Sequence, residues 1–484
     1  MILSNKPGLI DCGITNWNCT SFTARQMAIL ALLCSTALIG CSFSSSSSQQ
    51  NTADASAQDT TTDTKTQLKS KVSRVPLRIW VVGNMQQSDV LLRQWLADDE
   101  QPAEIRVLAV EELLGAEQSG TGAAEADVMI YPSRLLGEVI RRQWVVKLPQ
   151  TLLASNIENG DPGGLAGLDN GIKLRTAPAL ISACSYDGYQ FGLPLGFATI
   201  SLIGSESTSA EQLSHQALFE ELTSNIASGQ DGPLEVTADD IDCEALVDRF
   251  LSIAFGVTQV NSKYGVLFDV RTMASRLSQP EFVFAAELLT KLARQEDGVR
   301  SVVGSHSEAW RWANQTNLEG FALVSASELN SEVRTLDRVK LIRLIDTKAW
   351  NTGAGMIASI TARCRQSAQS VRFLEWVSRA KTISSFESNM LGTVSLSDSA
   401  VRAADRVNQH TFLGLNDYNV SCEPRLPLTH EYRRALAAEL ISIVSGRSSI
   451  ADGLDAACAA WDKLTGDNTK SQQREYERSL GMTL

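Results

Sequence analysis

The sequence lacks the short motifs that mark common catalytic and metal sites. It contains no Gly-x-Ser-x-Gly turn, no Walker A loop, no His-Glu-x-x-His motif and no Cys-x-x-Cys pair. The segment GSHSEAW (304–310) places serines beside His306, but neighbours in sequence do not make a catalytic relay in space, and we expect a polar loop. His410, Cys422 and His430 are too far apart for a standard zinc pattern. We therefore expect neither an enzyme nor a metal or cofactor site.

The sequence also has no excess of basic residues. It carries 43 Lys and Arg against 55 Asp and Glu, which gives a formal net charge of -12. Binding to nucleic acid requires clustered Lys and Arg, so we expect no nucleic-acid partner. Closely spaced cysteines are missing too, which excludes a disulfide scaffold and leaves open which pair could form a single bridge. The cysteines after residue 74 are Cys184, Cys243, Cys364, Cys422 and Cys458.

One apolar run stands out, and it is too short to span a bilayer. Met27–Ile39 contains 13 residues, whereas a transmembrane helix needs about 20. Arg25 precedes the run, and Gly40-Cys41 follows it directly. A basic flank, an apolar stretch and a small residue before cysteine are typical of a lipoprotein signal peptide. We therefore predict that residues 1–40 are removed and that Cys41 carries the lipid anchor.

The next segment, 41–74, is rich in Ser and Thr and has almost no apolar residues. Such a composition cannot bury a core, so we predict a disordered linker between the lipid and the globular part. The remaining length, 75–484, predicts two or three domain-sized units.

The globular part opens with alternating strands and helices. Strands are predicted at 77–82, 104–110 and 126–132, with helices beginning at Ser88 and Ser133. This alternation predicts a parallel, doubly wound sheet covered on both faces. Later strands are predicted at 191–205, 321–326 and 339–345, and helices dominate the end of the chain.

Core packing is expected for several tryptophans, whereas Trp350 stays undecided between core and cleft. Core packing is expected for Trp80, Trp95, Trp376 and Trp461. Trp310 and Trp312 would point to opposite sides if their segment were a strand, so at most one would face a cleft.

Several sequence segments between residues 75 and 484 resemble, in their order along the chain, segments of a known protein family. They are the strand LRIWVV, the stretch ADVMIYPSRLLGEVIRRQWVVKLP, the Gly-x-Pro segment YQFGLPLGFATISLIG, the Gly-rich AWNTGAGMIASI with its following helix, and the tail from RLPLTHEYRRAL to IADGLDAACAAW. Together these resemble the bacterial extracellular solute-binding proteins of ABC importers, in the sugar-type, maltose-binding-like family and its lipoprotein form.

The resemblance implies a periplasmic-binding-protein-like fold, with two doubly wound α/β lobes joined by a hinge and separated by a cleft. It places chain crossings near Ala198, Trp350 and His410. The implied segments are lobe 1 at 75–198, lobe 2 at 199–349, a lobe 1 return at 350–410 and C-terminal helices of lobe 2 at 411–484.

The ligand site is expected at strand ends and at the crossings. Ligands of open α/β sheets lie beyond the carboxyl ends of strands, and a helix beginning at Ser133 would offer free N–H groups there. For Trp350 the choice between cleft and core stays open. The predicted ligand-binding residues are Gly83, Asn84, Tyr131, Ser133, Phe197, Trp350, Asn351 and Gly353.

The resemblance implies a monomeric lipoprotein of the cell envelope that captures a small polar solute, a carbohydrate, and delivers it to ABC permease subunits. Two departures keep a second function open. Ile203-Gly204 stand where the family often has Tyr-Asn, and the second lobe lacks the family's Gly-x-Ala-Ala-Met at 319–323. The alternative is an envelope lipoprotein of the same fold that acts as a scaffold or sensor partner without transport.

Overall fold

The computed structural model describes sixteen ranges of the chain: 75–83, 88–99, 101–115, 125–148, 178–195, 200–205, 212–225, 234–236, 241–257, 265–295, 298–315, 320–325, 339–344, 350–377, 421–466 and 469–482. The predicted signal peptide, the Cys41 anchor and the linker lie outside these ranges. All of the ranges belong to one unit, Ser70–Leu484.

The described strands, in chain order, are β1 (Leu77–Val82), β2 (Ala103–Leu108), β3 (Val128–Pro132), β4 (Ser185–Tyr186), β5 (Tyr189–Gln190), β6 (Leu193–Pro194), β7 (Ile200–Ser205), β8 (Gln212–Leu213), β9 (Phe321–Ser325), β10 (Val339–Leu344), β11 (Trp350–Asn351), β12 (Met356–Ile360) and β13 (Ser421–Cys422).

The described α-helices are α1 (Ser88–Asp99), α2 (Val110–Gly115), α3 (Leu136–Arg141), α4 (Pro178–Ala183), α5 (His215–Asn225), α6 (Cys243–Val257), α7 (Pro280–Ala293), α8 (Gly298–Val303), α9 (His306–Gln315), α10 (Ser367–Val377), α11 (Thr429–Val444), α12 (Ile450–Thr465) and α13 (Thr469–Ser479). A 3-10 turn, Ser133–Leu135, precedes α3.

The first sheet has the strand order β2-β1-β3-β12-β6. β1 pairs in parallel with β2 and β3, as the alternation of strands and helices predicts. β12 pairs antiparallel with β3 and with β6, so the sheet is mixed rather than fully parallel. The difference arises because β12 enters from a distant part of the chain and not through a strand-helix-strand crossover.

Both faces of the first sheet are buried, because alternate residues of each strand point to opposite sides. On one face, Ile79 of β1 packs in a cluster with Trp95 of α1 and Phe373 of α10. On the other face, Trp80 packs in a cluster with Tyr131 of β3. The predicted core roles of Trp80, Trp95, Trp376 and Trp461 are confirmed by their burial.

The second sheet has the order β8-β10-β7-β9. β7 pairs antiparallel with β9 and β10, and β10 pairs in parallel with β8. The largest apolar cluster joins this sheet to α6, α7, α11 and α12. Within it, the rings of Phe268 and Trp461 lie 4.9 Å apart, and Trp461 Nε1 donates to the carbonyl of Tyr432 at 2.8 Å. The two sheets with their helices confirm the predicted α/β class.

The segment after Gly304 is helical, and the prediction of a loop or strand there was wrong. Ser305 Oγ accepts from the Glu308 N–H at 3.2 Å, and Glu308 Oε2 accepts from the Ser305 N–H at 2.8 Å. This reciprocal capping box starts α9, where Trp310 is fully buried. The two tryptophans of this segment therefore lie on a helix and not on the two sides of a strand.

Four of the described strands lie outside both sheets, as two short pairs. β4 pairs antiparallel with β5. β11 pairs in parallel with β13, which brings residues 350–351 beside residues 421–422. Residues 198, 349 and 410, at which the lobe boundaries were placed, lie outside the described ranges, so those boundaries stay predictions. Within the described part of the chain, every helix is too short or too polar to cross a membrane.

Candidate functional site

The carboxyl end of β3 is the part of the first sheet where a ligand was expected. The 3-10 turn there is buried, and its backbone N–H groups already have partners. The N–H of Ser133 donates to the carbonyl of Gly355 at 2.9 Å, and that of Arg134 donates to the carbonyl of Gly353 at 3.0 Å. The prediction that a helix starting at Ser133 offers free N–H groups is therefore wrong for these two positions.

Side chains supply the polar groups of this edge instead. Arg134 Nη2 lies 3.3 Å from Oε2 of Glu244, which is on α6. The Arg134 side chain is 10% exposed, and that of Glu244 is 33% exposed. This ion pair joins the end of β3 to a helix of the second sheet's core.

Arg433 of α11 is the centre of a larger set of ion pairs. Its Nε lies 2.6 Å from Glu244 Oε2, and its Nη2 lies 2.6 Å from Asp248 Oδ1. Its Nη1 donates to both carboxylate oxygens of Glu423, at 2.9 and 3.0 Å. All of these donors are used, as a buried guanidinium requires. We call Arg134, Glu244, Asp248, Glu423 and Arg433 the junction cluster.

Glu423 links the junction cluster back to the first sheet. It directly follows β13, and its Oε2 accepts the N–H of Gly353 at 3.0 Å. A Cβ on Gly353 would lie 2.3 Å from the Cβ of Arg134 and 2.9 Å from Glu423 Oε2. Glycine is required here because the backbone passes directly against these two side chains.

His430 extends the cluster toward the surface. Its Nδ1 lies 3.5 Å from Glu244 Oε1, and its Nε2 lies 3.6 Å from Glu111 Oε1. The Glu111 side chain is 69% exposed, so this side of the cluster reaches solvent.

The pKa values of Glu244 and Asp248 are shifted in opposite directions. Burial opposes ionisation of Glu244, but the charges of Arg134 and Arg433 outweigh it and hold its pKa well below the usual value. Burial dominates at Asp248 and raises its pKa despite the contact with Arg433. Burial also disfavours the charged form of Arg433, yet its three acidic neighbours raise its pKa well above normal.

Buried polar atoms at this edge remain without a hydrogen-bond partner in the described part of the chain. They are Arg134 Nη1, Thr352 Oγ1 and His430 Nε2. Thr352 is adjacent to Gly353, and Arg134 and His430 both contact Glu244. A buried donor without a partner costs free energy, so a polar molecule that pairs with these atoms would be stabilised here.

The predicted site residues fall into three groups. Ser133 and Gly353 lie at the junction cluster, as the preceding contacts show. Tyr131 is fully buried, and its hydroxyl pairs with Ser359 Oγ at 2.9 Å, so we assign it to the core rather than to a ligand-facing surface. Burial of Tyr131 also raises the pKa of its hydroxyl.

Gly83 ends β1 in an exposed position with φ of +146°, a conformation that favours glycine. Trp350 and Asn351 form β11, and only their backbone is described. Asn84 and Phe197 lie outside the described residues.

Most members of the junction cluster were not predicted from the sequence. One usable signal was present: Glu244 and Asp248 are four residues apart in the otherwise apolar stretch CEALVDRFLSIAF. Acids on the buried face of a helix require partners, so this spacing indicates a charged contact. Nothing local identifies Arg433 or Glu423 as those partners.

The two sheets with their helices form a mixed α/β fold, and comparison with solved structures shows it to be the fold of periplasmic solute-binding proteins. No protein-family model and no curated protein sequence matches the chain. Solved structures do match it over most of its length, and their identities are low enough that they show the fold alone.

One match is an ABC-transporter solute-binding protein of Agrobacterium radiobacter in complex with ribitol, at TM-score 0.60 and 14% identity over 81% of this chain and 99% of that one. The sugar-binding protein of Xanthomonas citri matches at TM-score 0.58 and 14% identity, over 81% and 98%. The cyclic alpha-maltosyl-1,6-maltose binding protein of Arthrobacter globiformis matches at TM-score 0.55 and 15% identity, over 81% and 99%.

Proposed function

We propose that this chain is an extracytoplasmic solute-binding lipoprotein that captures a small polar solute, a carbohydrate, and delivers it to an ABC-type permease. The observation that carries the proposal is the set of buried, unpartnered polar atoms at the end of β3, which includes Arg134 Nη1 and Thr352 Oγ1. They lie at the edge where ligands of open α/β sheets bind. The three matching structures named above are all of binding proteins.

Hydroxylated solutes suit this chemistry better than anions do. A sugar hydroxyl can accept from Arg134 Nη1 and donate to a carboxylate such as Glu244, so one ligand group uses both signs of charge. The nearby acids outnumber the arginines in the junction cluster, which disfavours a negatively charged solute. Ribitol, bound in one of the matching structures, and the cyclic maltose-type sugar for which another is named belong to the same chemical class.

The test is a melting-shift screen of the mature protein with sugars, polyols, amino acids and peptides. A ligand that binds only the folded state stabilises it by about 2.7 kcal/mol at a hundredfold excess over its dissociation constant. We expect a shift with at least one sugar or polyol and none with peptides. Trp350→Ala is expected to remove the shift and leave the ligand-free melt unchanged. If Trp350 is instead a core residue, its truncation should lower the ligand-free melt by the equivalent of about 3–5 kcal/mol.

The lipid anchor belongs to the same proposal and has its own test. Cys41 follows Gly40 at the end of the apolar run, and a polar linker follows it. We expect Cys41→Ser to prevent lipid attachment and cleavage before residue 41. Mass spectrometry of the N-terminus and detergent partitioning measure both, and an unmodified Cys41 in the exported protein would refute the anchor.

One observation favours the alternative of a scaffold or sensor partner. The charges of Arg433, Glu423 and Asp248 are mutually satisfied without any ligand. If no solute in the screen shifts the melt and a ligand-free structure retains these pairs, the alternative is preferred.

A further inference from the structure

The junction cluster forms a closed ring of contacts between two separate cores. Starting from the end of β3, Arg134 pairs with Glu244, and Glu244 pairs with Arg433. Arg433 pairs with Glu423, Glu423 accepts the N–H of Gly353, and the carbonyl of Gly353 accepts the N–H of Arg134. The Arg134–Glu244 link is an ion pair at 3.3 Å and the other links are hydrogen bonds, and together they return to the starting residue.

The ring ties the first sheet to elements of the other core. Arg134 follows β3, the central strand of the first sheet. Arg433 lies on α11, whose buried residues pack in the apolar cluster of the second sheet, and Glu244 lies at the start of α6 in the same cluster. Another polar contact lies outside the ring: the N–H of Leu428, just before α11, donates to Oε2 of Glu138 on α3 at 3.3 Å.

The links differ in how well water can replace them. Asp248 and Glu423 have side chains that are 7% and 2% exposed, so their bonds to Arg433 are shielded. Glu244 is 33% exposed and His430 beside it contacts the exposed Glu111. Glu244 takes part in two links, and its contact with Arg134 is the longer of the two, at 3.3 Å against 2.6 Å to Arg433. The Arg134–Glu244 pair is therefore the link that opens at the lowest cost.

We propose that the Arg134–Glu244 pair is an electrostatic latch that holds the end of β3 against α6 and α11 in the ligand-free protein. Opening the latch frees the guanidinium of Arg134, whose Nη1 already lacks a partner, for a solute entering at this edge. A role of the latch in solute binding rests on the proposed function, but the Arg134–Glu244 pair itself forms without a ligand.

Hydrogen–deuterium exchange of the ligand-free protein tests the latch. The amides of Arg134 and Gly353 donate hydrogen bonds within the ring, so their exchange reports its opening. We expect Glu244→Gln and Arg134→Gln each to accelerate exchange in peptides covering 128–142 and 350–361 on the order of tenfold, the effect of losing a hydrogen bond to a charged group. Exchange in α12 should stay unchanged.

Arg106→Gln is the matched control, because Arg106 pairs with Glu112 rather than with a member of the junction cluster, and both side chains are about half exposed. The double variant Arg134→Gln/Glu244→Gln should exchange no faster than Glu244→Gln alone, since Glu244→Gln already removes the link to Arg134. Unchanged exchange in both single variants overturns the latch, as does equal acceleration in α12 or additive acceleration in the double variant. If Glu244→Gln fails to fold, Arg134→Gln against the Arg106 control decides the question.

These outcomes are separable from the proposed function. If exchange accelerates in the variants but no solute in the screen shifts the melt, the latch is supported and solute capture is not. Solute binding without changed exchange would leave solute capture intact and refute the latch.

Discussion

Removing Arg433 should destabilise the protein more than removing any exposed arginine, and the loss should shrink as the pH falls. Arg433 is 3% exposed and makes ion pairs with three acids. Arg433→Met keeps most of the side-chain volume but leaves Asp248 and Glu423 buried without their cation. Breaking a buried ion pair on one side costs about 3–5 kcal/mol, because an uncompensated charge remains.

The pH dependence follows from the acids that remain. Without Arg433, nothing offsets the effect of burial at Asp248, so its folded-state pKa rises further above the unfolded value of about 3.9. The folded variant then binds protons that the unfolded chain does not, so its stability increases as the pH falls from 7 towards 5. The wild-type protein has less of this gain, because the charge of Arg433 opposes the rise that burial causes in the pKa of Asp248.

Urea denaturation at pH 7 and pH 5 measures the effect for the wild type and the variant. Arg106→Met is the control, since its exposed pair with Glu112 contributes less than about 1 kcal/mol. A loss below about 1 kcal/mol at pH 7 for Arg433→Met would refute the reasoning, as would a loss of equal size at both pH values.

Two further predictions use other contacts. Gly137→Ala should destabilise the protein by more than about 1 kcal/mol in the same assay, because a Cβ at Gly137 would lie 1.9 Å from the carbonyl oxygen of Arg425; a neutral effect would show that the segment at 425 shifts freely. Burial holds the pKa of His306 well below its usual value, so the unfolded chain takes up a proton near pH 6.5 that the folded chain does not. Stability should therefore fall between pH 7 and pH 5 by up to about 1.4 kcal/mol per pH unit, and His306→Gln should reduce that slope.

Local pattern was enough to predict the elements that build the first sheet. The β-branched and aromatic run at 77–82 marks a strand, and the helix predicted from Ser88 begins there, without reference to the rest of the chain. The cap predicted at Ser133 was wrong, because Ser133 begins a 3-10 turn without a side-chain capping bond and α3 starts at Leu136. The direction of β12 could not be predicted, because an antiparallel partner for β3 arrives from more than 200 residues away.

The helix after Gly304 was missed although its signal was present. Ser305 and Glu308 form the Ser-x-x-Glu pattern of a capping box, which outweighed the polar, loop-like composition of the segment. Of the predicted ligand-binding residues, Ser133 and Gly353 lie at the junction cluster, on its first-sheet side, and their binding role stays a prediction. The other members of the cluster are brought there by packing of α6 and α11, and single-sequence periodicity carries no information on that contact.

Solute capture at the end of β3 is tested most directly by calorimetric titration of the mature protein with the sugar or polyol that gives the largest melting shift. The account predicts saturable binding that Arg134→Gln weakens by at least about tenfold, because a hydrogen bond from a charged donor is lost. Arg106→Gln should leave the affinity unchanged. No binding by any member of the panel, or binding that Arg134→Gln does not weaken, would contradict the account.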